Sequence, residues 1–167
     1  MEEKFDFSQP GDAPLDIALA ELCRRVEALA QGSRTGVCIA SPDHAKLERA
    51  VFPSLPATFQ ATLTDLPMGP PYIGCCTAAM DGKEVITSHD LTHESRFSEA
   101  FIATCLEHGI KSLQSRPVYG RDQQPIGTFV MGYGEPSEDQ RFAAPYMEFA
   151  ADAVAALLQE ELDKTEK

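Results

Sequence analysis

The cysteines are the residues of this chain whose type and spacing come nearest to chemistry. Cys75 and Cys76 are adjacent, and Cys105 lies in a later amphipathic segment. Neighbouring cysteines resist pairing with each other because the bridge forces a strained peptide geometry, so the pair is not a C-x-x-C redox motif. A thiolate needs a helix N-terminus or a nearby cation, and the run Cys75-Cys76-Thr77-Ala78-Ala79-Met80 reads as such a helix start. The same residues also read as small side chains buried at a tight turn, the common fate of free cysteine. His89 and His93 are four apart and Cys105 and His108 three apart, a spacing superficially like that of zinc ligands. The two histidines fall in a loop-like segment where that spacing defines no face, and residues 98–106 are better explained as an amphipathic helix, so no metal is expected. The chain has no GxxxxGK[ST], no GxGxxG and no G-x-S-x-G, which removes the usual anchors for nucleotide phosphates and for serine hydrolysis.

Charge narrows the partners. Lys and Arg total 14 against 26 Asp and Glu, a formal charge of -12 at pH 7, which repels phosphate backbones and anionic lipid alike. Neither nucleic acid nor a membrane surface is an expected partner. No apolar run approaches the roughly 20 residues that span a bilayer, and the acidic N-terminus is unlike a signal peptide. Five cysteines, an odd number, and the lack of any Asn fit reduced thiols and a cytoplasmic address.

The elements that must position these residues follow from periodicity. Asp12 caps a first helix, with Pro14 in its first turn and a stripe of Leu15, Leu19, Leu22, Val26 and Leu29 whose spacing suits packing along another helix. Thr35 to Ala40 and Leu47 to Phe52 read as strands around the turn Ser41-Pro42-Asp43-His44. A proline-rich connection from Pro53 to Pro71 has room for one short helix. Glu84 to Ser88 is a strand, and Ser98 caps a helix carrying Phe101, Ile102, Cys105 and Leu106 that Gly109 ends. Ser112 to Tyr119 and Pro125 to Tyr133 form an antiparallel hairpin, its second strand covered on both faces. Ser137 to Gln140 is a capping-box pattern before a long last helix striped by Tyr146 or Met147, Ala151, Val154, Leu158 and Leu162. The sum is an α+β domain, an antiparallel sheet with helices packed on it, spanning 13–165 after a flexible tail over 1–12.

Residues 66–97 and 108–136, with the last helix, together resemble a GAF domain of the bacterial signalling type. Cys75 and Thr77-Ala78-Ala79 match the family's Gly-Ser-Cys-Gly-Thr-Ala-Ala stretch, Asp90 and Arg96 its acid and base, Ser115-Arg116-Pro117 its Ser-x-Pro strand, and Ile126-Gly127-Thr128-Phe129 its hairpin return. Cys76 replaces the family's glycine and Gly74 its serine. The resemblance implies a central antiparallel sheet with the terminal helices on one face and a ligand pocket on the other. It implies a sensory input of histidine kinases, diguanylate cyclases and related proteins, not enzymatic by itself, passing small-molecule or redox occupancy to a helical homodimer. A fused output domain outside this chain would receive the signal.

The implied pocket residues are Cys75, Cys76, Thr77, Asp90, Arg96, Phe101, Cys105, Ser115 and Met131. Nothing names the ligand or a cofactor. No cysteine is followed by histidine as in bilin-binding relatives, and the asparagine-lysine-phenylalanine-aspartate-glutamate motif of cyclic-nucleotide-binding relatives is missing. Two alternatives remain. One is a free methionine-(R)-sulfoxide reductase using Cys105 and Cys75, although the acidic strands of that family read Ser112-Leu113-Gln114 and Phe129-Val130-Met131 here. The other is a dimerisation module without ligand.

Overall fold

The computed structural model describes residues 14–142 and 145–165; the expected tail over 1–12 and the Asp12 cap lie outside the described residues. The first helix, α1 (Pro14–Leu29), leads into β1 (Ser33–Ala40) and β2 (Lys46–Val51). The proline-rich connection makes one short helix, α2 (Ala57–Ala61), and the two-residue strand β3 (Leu66–Pro67). After α3 (Cys75–Gly82) and β4 (Ile86–Ser88), a 3-10 turn at Leu91–His93 precedes α4 (Glu99–Glu107). The hairpin of β5 (Ser112–Tyr119) and β6 (Pro125–Tyr133) follows, then α5 (Asp139–Phe142) and α6 (Pro145–Thr165).

All strand pairings are antiparallel, and the order across the sheet is β3-β2-β1-β6-β5-β4. The central strand β6 is buried at every residue. Strand side chains alternate between faces, so β6 serves two separate cores. Phe129, Met131 and Tyr133 join Val37 of β1 and Val118 of β5 beneath α1 and α6. Val130 joins Cys38 and Leu113 on the other face, beneath α2, α3 and α4. The terminal helices lie on one face as expected; the other face, where the resemblance implies a ligand pocket, carries a second core.

Two carboxylates fasten α1 to the sheet. Asp16, buried within α1, pairs with Arg49 of β2. Glu27 accepts hydrogen bonds from the Thr35 amide at 2.7 Å and from the Ser54 hydroxyl, while the Thr35 hydroxyl lies 3.1 Å from both Glu27 and the Cys23 carbonyl. The helix thereby turns Cys23 inward with Leu15, Leu19 and Val26. Leu22 is half-buried and Leu29 is 69% exposed, so the expected stripe rotates at its C-terminal end toward Cys23.

The capping box expected at Ser137 would close on Gln140, whose side chain lies outside the described residues. The Ser137 hydroxyl accepts from Ser112 at 3.0 Å and donates to the Glu135 carbonyl at 3.3 Å, tying the loop to β5, and helix starts at Asp139. Ser98 does cap α4, accepting from the Phe101 amide at 3.1 Å, and Gly109 ends that region at a φ of +77°.

Gly36 in β1 lets the Phe52 ring lie directly on the backbone. A Cβ built there would sit 2.2 Å from that ring. Gly36→Ala is therefore expected to destabilise the protein by about 1–3 kcal/mol through overpacking, read as a lower denaturant midpoint at unchanged slope.

Candidate functional site

The site is assembled at the buried start of α3. Thr77 closes this turn: its hydroxyl donates to the Gly74 carbonyl at 3.1 Å and lies 3.4 Å from the Gly74 amide. Cys75 and Cys76 therefore occupy the first helical positions, as the sequence pattern predicts. Ser98 binds α4 to the same place, its hydroxyl and amide both donating to the Ile73 carbonyl at 3.0 and 3.1 Å. That connection lays Phe101 over Gly74, where an added Cβ would meet the ring at 2.8 Å. The glycine that replaces the family serine is thus the residue that admits Phe101.

Between α3, α4 and the sheet lies a cavity lined by Cys75, Cys76, Phe101 and Cys105 together with Phe52, Phe59 and Val130. Its free space is about 10 Å³, at the lower limit for one water molecule. The aromatic side chains fill it.

The cysteine cluster is larger than the sequence suggests. Cys38 of β1 projects from the sheet, and its Sγ lies 2.7 Å from that of Cys76, while Cys75 Sγ is 4.0 Å from the same sulfur. All five cysteines are free and buried. Burial pushes the Cys105 and Cys23 thiols up to about 12. Cys38 is raised by burial and by its bond to Cys76, and Cys75 by its contact with Cys76 and by burial.

Cys76 goes the other way. Burial opposes its charge, but the thiols of Cys38 and Cys75 and the hydroxyls of Thr128 and Ser115 favour the thiolate and hold it well below the ordinary value. Thr128 and Ser115 are fully buried with no oxygen or nitrogen partner, and Thr128 acts on the Cys38 sulfur as well. Strand register explains the convergence, because Cys38 pairs with Thr128, Thr128 with Pro117, and Ser115 with Val130 on the face that α3 covers.

Four of the implied pocket residues, Cys75, Cys76, Phe101 and Cys105, line the cavity; Thr77 shapes its turn and Ser115 faces Cys76. Met131 does not belong there. It packs in the core beneath α1 and α6, because the two-residue alternation turns Val130 and Gly132 toward the cavity and Met131 away.

Asp90 and Arg96 also stand outside the lining, and they are not paired with each other. Asp90 accepts from the Thr92 amide and hydroxyl at 3.0 and 2.6 Å, capping the 3-10 turn. Arg96 grips Glu94 with Nε and a terminal nitrogen, each at 2.8 Å, and donates to the Thr87 carbonyl at 2.7 Å. Cys38 and Thr128 were not legible as site residues. The signal available was their strand parity relative to Ser115, which needs the register.

The chain is a six-stranded antiparallel sheet with the terminal helices on one face and a small cavity under short helices on the other. A family model described as a GAF domain matches residues 12–155, and the chain belongs to that family. Solved structures agree on the fold. The GAF domain/HD domain protein from Geobacter sulfurreducens aligns with a TM-score of 0.65 at 16% identity, over 89% of this chain and 94% of that one. A domain of a putative two-component sensor histidine kinase from Sinorhizobium meliloti aligns at 0.60 and 14% identity, over 92% and 94%. The type II free methionine-R-sulfoxide reductase from Thermoplasma acidophilum aligns at 0.64 and 17% identity, over 87% and 93%. A search of curated proteins returns no match. Among the described residues, no helix is long and apolar enough to cross a membrane.

The Arg96 guanidinium holds the Glu94 carboxyl down at about 2, against an ordinary value of 4.5. The folded protein thus takes up this proton later than the unfolded chain, so the pair stabilises fully above pH 4.5 and loses its contribution as pH falls toward 2. Because Arg96 is half-exposed, screening keeps the effect below about 1 kcal/mol. Glu94→Gln should lower stability by that amount at pH 7, and the difference from the parent should vanish near pH 2 in denaturant titrations.

Proposed function

We propose that this chain is the regulatory GAF domain of a signal-transduction protein. It takes a small molecule or a redox change at the site between α3, α4 and the sheet, and passes the state to a homodimer interface on α1 and α6. The observation that carries this reading is the position of apolar side chains with no cover. Ile17 and Leu29 of α1 are 55% and 69% exposed and Phe149 of α6 is 77% exposed. All three lie on the helices that cover the face of the sheet opposite Cys38, Cys75, Cys76 and Cys105.

A ligand of ordinary size needs a pocket of about 300 Å³ or more, so occupancy requires the rings of Phe52 and Phe101 to swing out of the cavity. Such a displacement is how binding energy at this face would bias two arrangements of the sheet and its helices. The output domain, a kinase or diguanylate cyclase by family analogy, lies outside this chain, and the domain is not catalytic by itself.

Native mass spectrometry of the purified protein tests this directly. A dimer is expected, and Phe149→Glu should weaken it about tenfold or more, given the apolar area at stake. A monomer at all concentrations would refute the interface. An added mass lost on denaturation would identify a small-molecule occupant, and a dimer without one would leave a dimerisation module.

The reductase reading draws on one observation, that Cys75 and Cys105 line the same cavity. Against it, both thiols are raised, Cys75 by its contact with Cys76 and by burial and Cys105 by burial, and Arg34 is the sole charged residue of the lining, with no carboxylate for the ammonium of free methionine. The protein is expected not to consume free methionine-(R)-sulfoxide with a thioredoxin-type reductant. Turnover abolished by Cys105→Ser would reverse the assignment.

A further inference from the structure

Two buried thiols from separate elements meet under α3. Cys76 stands in place of a glycine, and Cys38 comes from β1, across the sheet face from it. Their sulfurs are 2.7 Å apart, and a disulfide bond measures roughly 2.05 Å, so bonding calls for less than an ångström of approach. Two fully buried hydroxyls, those of Ser115 and Thr128, have no oxygen or nitrogen partner; both act on the Cys76 sulfur, and Thr128 also on that of Cys38. A buried hydroxyl left without an acceptor is costly, and a sulfur anion is the acceptor this arrangement supplies.

We infer that Cys76 and Cys38 form a peroxide-oxidised dithiol site, Cys76 as the attacking thiolate and Cys38 as the resolving thiol. The Cys76 sulfur attacks one oxygen of hydrogen peroxide, the O–O bond breaks, and the other oxygen leaves as water with the proton released from Cys76. The resulting sulfenic acid is attacked by Cys38, the S–O bond breaks, and its oxygen leaves as water with the Cys38 proton. Two thiols lose two electrons and two hydrogens, and the peroxide takes them up.

Cys75 is closer in sequence but is excluded as the partner because a bridge between neighbours strains the peptide. Cys105 is held as a neutral thiol by burial. The size of the cavity, about 10 Å³, restricts the oxidant to molecules little larger than water. The bridge fixes the start of α3 to β1, whose opposite face supports α1. Its use as a signal rests on the regulatory reading above, whereas the chemistry rests on the thiols alone.

Hydrogen peroxide added to the full chain tests the proposal. The intact mass should fall by two hydrogens, and peptide mapping without reduction should join Cys38 to Cys76, with recovery on adding a dithiol reductant. Cys38→Ala should lose the bridge and leave a sulfenic acid on Cys76 that dimedone traps. Cys76→Ala should lose both, and Cys75→Ala should keep the bridge. Circular dichroism establishes that each variant is folded, and the mapping of the parent protein decides the question if none is. A bridge between Cys75 and Cys105 instead, or five free thiols after peroxide exposure, would overturn the inference. A Cys38–Cys76 bridge that leaves self-association unchanged would sustain the chemistry while removing its place in the regulatory reading. A dimer responsive to a bound small molecule, with no bridge formed, would do the reverse.

Discussion

Burial of β6 on both faces is the constraint on which the rest of this structure depends. A strand with no exposed residue must satisfy its backbone in the sheet and its side chains in two cores at once. Flanked by β1 and β5, it does so, and every other residue is assigned to a different partner set. Phe129, Met131 and Tyr133 fix the platform on which α1 and α6 lie. Thr128, Val130 and Gly132, one step along, form the floor under α3. A shift of one residue in register would exchange the two sets, placing Phe129 among the thiols and Thr128 beneath α6.

The second face is more polar than a plain core and yet closed to solvent. Its hydroxyls and thiols are buried next to one another, so the charge state of any one is set by its neighbours. Desolvation alone would leave every thiol neutral. What distinguishes Cys76 is the number of donors around a single sulfur, supplied by three strands and the adjacent residue of its own helix. The loop carrying Asp90, Glu94 and Arg96 contributes by a different route. Arg96 is spent on Glu94 and the Thr87 carbonyl, and Asp90 on Thr92, which braces the edge of β4 without entering the cavity.

Much of this fold is legible in the sequence. The hairpin of β5 and β6, the strand β1, the short helix in the proline-rich connection, the Ser98 cap and the helix start at Cys75 all follow from local patterns of one or two turns' length. Elements whose definition lies elsewhere were not legible. The two-residue β3 exists because β2 offers it an edge to pair with. Ser137 carries a capping signature, but the bond of its hydroxyl to Ser112 of β5 follows only from the folded chain.

The chain's own residue pattern determined the α+β class, the family, the two cysteines at the head of α3 and the small residues around them, because these depend on spacing within a segment. Only the tertiary structure decided which residues share the site. In β6 the run Phe129-Val130-Met131 is apolar throughout, so it carries no mark of which side chain faces which core; pairing with β1 and β5 sets that, sending Met131 to the helices. The same pairing brings Cys38, 38 positions from Cys76, to within 2.7 Å of it. Distance along the chain holds no information about that meeting, since it is the register of three strands, fixed by what each face must bury, that places the two sulfurs together.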